Sequence, residues 1–368
     1  MSRLLSLRVP GKLMLAGEYA VLEPHQPGLV VAVDRYVTAT VAPAAHFLLT
    51  IPAFGHDEVP FEVTPDGVRM GDPDPRLRFV GEALAVVLSV CEVPPSPFHL
   101  TLESGLDDPD GRKYGLGGSA AAVTAAVAAV AHWVALGKGA PAPLMLFKLA
   151  AIAHFRAQGS GSGADVAASC FGGWLRYTSF NPAWLAARLA RGLAPSVLLA
   201  EPWPFLSIER LSPLPRDLRL CVGWTGEPAS TKELVAQVAA LRERDPSAYE
   251  AFLADSQHAV EHLVAGLQSA NRFRALDALT RNREALRRLG EAAGVAIETP
   301  ALARLAELAV SAGGAGKLSG AGGGDCGIAL VFGDDECRRL ETLWREAGLA
   351  PLRLGSSDAG VAVTRLVP

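Results

Sequence analysis

The sequence lacks the features of a secreted protein. It contains only five cysteines in 368 residues, and no two of them form a CxxC pair. Because the number is odd and no paired spacing occurs, we expect no disulfide framework and infer a reducing compartment, the cytoplasm. The N-terminal segment has only a very short apolar run between Arg3 and Arg8, which is too short for the hydrophobic part of a secretory signal.

Long hydrophobic runs and an excess of positive charge are also missing. The longest apolar stretch, Ala120 to Leu136, is mostly alanine, so we expect a buried helix rather than a membrane span. The formal net charge of −4 gives no indication of binding to nucleic acid or to an anionic membrane. Half of the residues are hydrophobic and a fifth are charged, which is typical of a folded protein long enough for two domains.

Strand and helix patterns follow each other without a regular order, and no internal repeat is visible. Leu4 to Val9 and the β-branched segment Gly28 to Val41 predict strands, and Pro143 to Gln158 predicts a helix that begins with proline. Residues 230–310 predict three or four amphipathic helices. Because a regular alternation of strand and helix is absent, we predict an α+β fold rather than a doubly wound sheet.

A Walker-type phosphate loop is absent as well. The segment KYGLGGSAAAVTAAV, from Lys113 to Val127, places three glycines and a serine before an alanine-rich run, but no lysine follows the glycines. A glycine-rich turn at a helix N-terminus can nevertheless bind phosphate through free backbone amides and the helix dipole. Ser119 could either cap this helix or ligate Mg²⁺, and a simple tight turn remains the alternative.

Three further segments carry candidate functional groups. In the glycine-rich segment Gly313 to Gly324, Leu318 follows Gly-Lys where a Walker loop requires Ser or Thr, and we expect a loop that closes over a ligand. Lys12 follows a glycine at the expected end of the first strand, which suggests that its side chain points into a cleft. Asp165 begins a helix after a Gly/Ser loop. Taken singly, Lys12 could be an ordinary solvated surface lysine, and Asp165 could be an acid that only stabilises a helix N-terminus.

Together and in this order, the segments PGKLMLAGEY, GLGGSAA, GSGAD and KLSGAGGGDCG resemble the motifs of the GHMP kinase superfamily, over essentially the whole chain. Within it, GWTGEPASTKELV and the Asp-Cys after the glycines are most similar to the bacterial phosphomevalonate kinases. The resemblance implies an N-terminal domain like ribosomal protein S5 domain 2, a ferredoxin-like C-terminal domain and an active site between them. We place the two domains at residues 1–185 and 186–368.

The resemblance also implies an activity and its partners. The chain would phosphorylate the small molecule 5-phosphomevalonate to 5-diphosphomevalonate with ATP and Mg²⁺, in the mevalonate pathway of isoprenoid biosynthesis. It would have no nucleic-acid or membrane partner and would be a monomer or a homodimer. The alternatives are mevalonate kinase or another small-alcohol kinase, diphosphomevalonate decarboxylase, and a catalytically inactive sensor that keeps the fold. The last is disfavoured because Lys12, Ser119 and Asp165 are all retained.

Individual roles follow from the resemblance in the same way. Lys12 and Asp165 match the catalytic lysine and aspartate of the family, and Ser119 matches the residue that contacts Mg²⁺. The nucleotide would be bound by Lys113, Gly115, Leu116, Gly117, Gly118, Ser119, Ala120 and Ala121. The acceptor would be bound by Glu18, Tyr19, Ser160, Gly161, Ser162, Ser230, Thr231, Ser319, Gly320, Ala321 and Gly322. Cations for two polyanionic reactants would come from Lys12, Arg112, Lys113, Lys232 and Lys317, of which about half are expected to be solvated surface charges.

The chain departs from the family pattern at two places. Gly118 stands where the common motif has a serine. Mevalonate kinases also carry a metal-binding glutamate before the catalytic aspartate, whereas the stretch from Lys148 to Gly163 contains no Asp or Glu. Metal binding would then depend on Ser119, the phosphates and water, which suits Mg²⁺ and disfavours mevalonate kinase. Because a phosphate acceptor is already largely ionised at neutral pH, we expect Asp165 to orient Lys12 and the acceptor more than to remove a proton.

Overall fold

The computed structural model describes residues 4–65, 67–108, 110–135, 139–228 and 231–367. Of the predicted site residues, Ser230 lies outside this part of the chain, and so do the side chains of Thr231 and of the candidate cation Lys232. The strands of the described residues are β1 (Leu4–Ala16), β2 (Pro27–Pro43), β3 (Leu48–Ile51), β4 (His56–Thr64), β5 (Gly67–Met70), β6 (Phe98–Ser104), β7 (Trp174–Thr178), β8 (Ser207–Arg210), β9 (Leu218–Trp224), β10 (Ala315–Leu318), β11 (Cys326–Phe332), β12 (Ala350–Leu352) and β13 (Ala362–Val367).

Helices pack against strands of both sheets. They are α1 (Arg78–Ser89), α2 (Gly118–Val134), α3 (Pro143–Gln158), α4 (Ala164–Phe171), α5 (Pro182–Ala190), α6 (Pro195–Ala200), α7 (Thr231–Arg244), α8 (Pro246–Gln268), α9 (Arg272–Ala293), α10 (Pro300–Ser311) and α11 (Asp334–Glu346). The predicted helices at 143–158 and within 230–310 are confirmed. The alanine-rich run forms α2, and most of its residues are buried in the main core. Within the described residues, no helix is long and apolar enough to cross a membrane.

Among the described residues, nine strands form a first sheet, in the order β13-β1-β2-β6-β3-β4-β5, with β7 and β8 added beside the first half of β2. Two strands can pair along the same edge of β2 because β2 is long: its residues 27–31 pair with β7, and its residues 37–43 pair with β6. Strands β8 and β13 belong to this sheet although they lie after residue 185, so the sheet is built from both ends of the chain. The division at residues 185 and 186 stays a prediction.

The second sheet, within the same described part, has four antiparallel strands in the order β10-β11-β9-β12. With the intervening helices this is a β-α-β-β-α-β arrangement, the ferredoxin-like topology. One face, through Val222 and Trp224, joins the main core of the first sheet. The opposite face packs on α10 and α11 through Leu305, Leu340 and Trp344. The α+β prediction and its ferredoxin-like part are therefore confirmed.

Two local predictions are wrong. Strand β1 does not end at Val9 but continues to Ala16, and the change of register at Pro10 and Gly11 is a β-bulge rather than a strand end. Lys12 consequently lies inside a strand. The glycine-rich segment after α10 is not a continuous loop either, because residues 315–318 form β10 and pair with β11. The segment consists of a short turn at Gly313 and Gly314, strand β10, and a loop after Leu318.

The end of α4 rests directly on the segment that leads into β13. A Cβ added to Gly172 would lie 2.3 Å from the carbonyl carbon of Ala359, and a Cβ added to Gly360 would lie 2.1 Å from the carbonyl oxygen of Cys170. Neither distance is possible for a real side chain, so the two backbones can touch only because both positions are glycine. This contact sets the distance between the end of α4 and the segment before β13.

Candidate active site

The glycine turn, residues 115–117, ends the loop that follows β6 and leads into α2. Gly117 has φ of 78° and directly precedes the helix. The amide of Lys12 on β1 donates to the carbonyl of Leu116 at 2.9 Å. A Cβ added to Gly117 would lie 3.0 Å from Cγ of Lys12, so the turn packs against the stem of this lysine. The first-turn amides of α2 have no intrahelical partners and present an anion-binding surface.

Ser119 lies in the first turn of α2 and is exposed. Its Oγ lies 3.3 Å from Nε2 of His154 on α3. His154 is buried and packs against the ring of Phe79, at 5.3 Å between centroids. Sequence reasoning missed this histidine. The available signal was a polar residue within the apolar face of α3, but the contact with Ser119 spans 35 residues of chain.

A cleft of about 530 Å³ lies beside this turn, between the first sheet and the loop after β10. Its walls come from β1, the segment after β1, the loop between α3 and α4, and the loop after β10. Of the predicted site residues it brings together Lys12, Glu18, Tyr19, Ser160, Gly161, Ser162, Asp165, Gly320 and Ala321. The other walls are largely apolar, and His154 also lines the cleft.

Hydrogen bonds from buried side chains anchor the loop between α3 and α4. The carbonyl of Ser162 accepts hydrogen bonds from the hydroxyls of Tyr177 at 2.5 Å and Ser179 at 2.9 Å. Tyr177 is fully buried, and burial, with a contribution from Asp165, raises its pKa well above the usual value, so it remains a donor. Asp165 follows in the first turn of α4, where one carboxylate oxygen accepts from the amide of Val166 at 3.0 Å. The aspartate is thus fixed at the cleft wall.

Glu18 and Tyr19 connect β1 to the second sheet. Glu18 is 2% exposed and forms an ion pair with the fully buried Lys317 on β10. Burial lowers the pKa of Lys317, and the Glu18 carboxylate opposes this effect. The hydroxyl of Tyr19, whose pKa is raised by burial, donates to the carbonyl of Ala321 at 2.5 Å. Lys317 is therefore neither a surface charge nor a cation that faces the cleft.

The predicted residues of the loop after β10 have different surroundings. Ser319 is buried and donates its hydroxyl to the carbonyl of Met14 at 2.9 Å. A Cβ added to Gly322 would lie 2.1 Å from the carbonyl oxygen of Ile297, so the loop backbone rests on that residue. Gly320 and Ala321, between them, line the cleft. A contact of Ser319 or Gly322 with the acceptor stays a prediction.

Cationic and aromatic groups lie around the glycine turn, outside the cleft. Arg112 stacks on the ring of Trp224, at 4.9 Å from its centroid, and pairs with Asp110 at 3.6 Å. Lys113 is exposed and lies two residues before Gly115. No group of three or more metal-binding His, Cys, Asp or Glu side chains occurs in the described residues. A Mg²⁺ ion here would need the phosphates of a nucleotide as ligands, which is how proteins commonly hold this ion.

Comparison with known proteins agrees with this architecture. The model of the GHMP kinases N terminal domain matches residues 78–173, and that of the GHMP kinases C terminal domain matches residues 263–348. A phosphomevalonate kinase from Streptomyces sp. is 37% identical over 373 residues, which cover 96% of this chain and 97% of that protein. A mevalonate kinase from Thermococcus gammatolerans is 28% identical over 98% of each chain.

A solved structure extends the comparison to a bound state. Streptococcus pneumoniae phosphomevalonate kinase, in complex with phosphomevalonate and AMPPNP, has a TM-score of 0.82 and 27% identity, and the match covers 96% of this chain and 99% of that one. These relatives cover 96–98% of the chain, and both domain models match in the expected order. The chain therefore belongs to the GHMP kinase family.

Proposed function

We propose that this protein transfers the γ-phosphate of ATP to (R)-5-phosphomevalonate and releases ADP and 5-diphosphomevalonate. The observation that carries the proposal is the convergence of Lys12, Asp165 and the 160–162 loop on one cleft beside the glycine turn. The phosphomevalonate kinase relatives support the choice of acceptor. The cytoplasm, where free thiols persist, is the proposed location, and the protein acts as a monomer or a homodimer.

The nucleotide lies with its phosphates against the glycine turn and the first-turn amides of α2. Lys113 adds a positive charge at the start of this turn. Mg²⁺ would be held by the Ser119 hydroxyl together with the phosphates and water, and it would neutralise charge on the phosphates. His154 fixes the orientation of this hydroxyl through the 3.3 Å contact. This donor set fits Mg²⁺ because that ion needs few protein ligands.

The acceptor lies in the cleft, with its phosphate near Ser160 and Ser162. These hydroxyls and the adjacent backbone amides are the donors available to it on this wall. The apolar remainder of the cleft suits the carbon skeleton of the acceptor. Lys12 lies between the two reactants and neutralises the charge that is shared by the transferred group in the transition state. Asp165, fixed by α4, orients Lys12 and the acceptor.

The test is a coupled assay that measures ADP release with phosphomevalonate and with mevalonate in parallel. We expect turnover with phosphomevalonate and a phosphorus NMR spectrum of the product that contains a diphosphate. Turnover with mevalonate alone would support the second candidate, mevalonate kinase, which the Thermococcus relative keeps open. The lack of an acidic residue between Lys148 and Gly163 disfavours that candidate. Release of CO₂ or the absence of any turnover would contradict both.

A further inference from the structure

Two cysteines meet on the face of the second sheet that is turned away from the cleft. Cys221 on β9 and Cys337 on α11 have their Sγ atoms 2.9 Å apart, although 116 residues separate them in sequence. Side chains alternate along β9, so Val222 joins the core shared with the first sheet, whereas Cys221 faces α10 and α11. Formation of a disulfide bond of about 2 Å requires only a small movement of these two sulfur atoms.

We propose that Cys221 and Cys337 are a modification site, at which a hydroperoxide converts the two thiols reversibly into a disulfide. All five cysteines are described and are free thiols in the structure. This pair alone among them has sulfur atoms within hydrogen-bond distance of each other. Cys91 instead donates to the carbonyl of Val87, while Cys170 and Cys326 are buried singly.

The two sulfurs have different chemical roles. Cys337 is half-buried and therefore accessible to a small oxidant, whereas Cys221 is 4% exposed. The hydrogen bond from Cys221 lowers the pKa of Cys337, against the effects of burial and of Glu341 and Asp334, while the same contact raises the pKa of Cys221. Arg219 also faces the pair but is bonded to Asp334. Cys337 is therefore the thiolate that reacts first.

The reaction balances with the peroxide as oxidant. The Cys337 thiolate attacks one peroxide oxygen, the O–O bond breaks, and a sulfenic acid forms while the other oxygen leaves as water or an alcohol. The sulfur of Cys221 then attacks the sulfenic sulfur, the S–O bond breaks, and water leaves. The two thiols lose two electrons and two protons in total, and the peroxide is reduced by the same two electrons. A dithiol reductant reverses the change.

The experiment treats the full chain with hydrogen peroxide and then counts thiols and maps peptides without reduction. We expect the thiol count to fall by two, from the five free cysteines. Trypsin would yield peptide 220–232 linked to peptide 318–338, lighter by two hydrogens than their sum. The second peptide also contains Cys326, so the Cys337→Ser variant identifies the partner, because it must lose the link. Dithiothreitol must restore all thiols.

Two variants keep the test interpretable. Cys91→Ser removes the other half-buried thiol and must still form the link, which excludes bonds between molecules through Cys91. In Cys221→Ala, Cys337 has no partner sulfur, so peroxide must oxidise Cys337 without forming the intramolecular disulfide. We expect the thermal midpoint of the oxidised wild type to rise by roughly 3–8 °C, because the bond closes a long loop. Five thiols after treatment, or a sulfinic acid at Cys337 without a link, would overturn the proposal.

Discussion

Lys12 contacts both sides of the candidate site through different atoms. Its amide is bonded to the glycine turn at Leu116, and its stem packs on Gly117. Its side chain lines the same cleft as Asp165. A single residue on β1 therefore joins the proposed nucleotide side to the proposed acceptor side. Its position in a strand interior, rather than after a strand end, holds the ammonium group with little freedom of the backbone.

Replacement of Lys12 by methionine tests the role of this charge. The variant keeps the length of the stem but loses the ammonium group, so we expect kcat to fall by about 10²–10³-fold or more, with the fold unchanged. The measurement is steady-state kinetics together with urea unfolding. Arg112→Met is the matched control, since Arg112 is already engaged with Trp224 and Asp110 and should change kcat by less than about threefold. Equal losses in both variants would argue against the assigned role.

The proposed orienting role of Asp165 has a separate signature. Because a phosphate acceptor is already ionised, Asp165→Asn should lower kcat by a similar factor at every pH between about 6 and 8.5. Kinetics with phosphomevalonate across this range provides the measurement. If Asp165 is instead a general base, the wild type shows an acid limb in its pH profile that is absent from the variant, and the loss grows as the pH rises.

At the scale of secondary structure, the glycine turn and α2 could be predicted from the sequence. Glycines before an alanine-rich run define a turn and a buried helix through local rules alone. Strand β10 could not be found in this way. Its four residues lie among glycines, and it exists because β11 pairs with it and Glu18 neutralises Lys317. For the same reason the contact between His154 and Ser119 depends on the packing of α2 and α3, which no local pattern reveals.

The glycine turn can be tested with a pair of alanine variants. Gly117→Ala combines the strain of a positive φ with a contact at 3.0 Å to the Lys12 stem. Gly111→Ala has a similar φ of 79° but open space around the added Cβ, so it carries the strain without the contact. We expect Gly117→Ala to lower kcat/KM for ATP by about 10-fold or more, and Gly111→Ala to cost only about 1–2 kcal/mol of stability. Similar ATP kinetics in the two variants would contradict a specific role of the turn.

At the scale of the whole molecule, the buried pair Glu18 and Lys317 links the two sheets. Neither side chain has appreciable contact with solvent. The second carboxylate oxygen of Glu18 is buried, and the described residues provide no hydrogen-bond partner for it. Removal of one partner would leave an uncompensated charge in the interior, which costs far more than the pair itself contributes.

A double-mutant cycle on the free energy of unfolding measures this link. Lys317→Met should destabilise the protein by about 3–5 kcal/mol, because Glu18 then remains buried without its partner. Addition of Glu18→Leu should recover most of this loss, since two apolar side chains replace the pair. Urea unfolding of the wild type, both single variants and the double variant gives the coupling. Additive losses would show that the two charges do not depend on each other.

The contact between Gly172 and Gly360 has a consequence for the helix that carries Asp165. The helix that carries Asp165 ends against the segment before β13, and the two backbones meet without any intervening side chain. Any side chain introduced at residue 360 would collide with the backbone at Cys170 and Phe171, so the end of this helix would have to move. The placement of α4, and with it of Asp165, thus depends partly on a residue outside the candidate cleft, and we expect substitutions at residue 360 to be felt there.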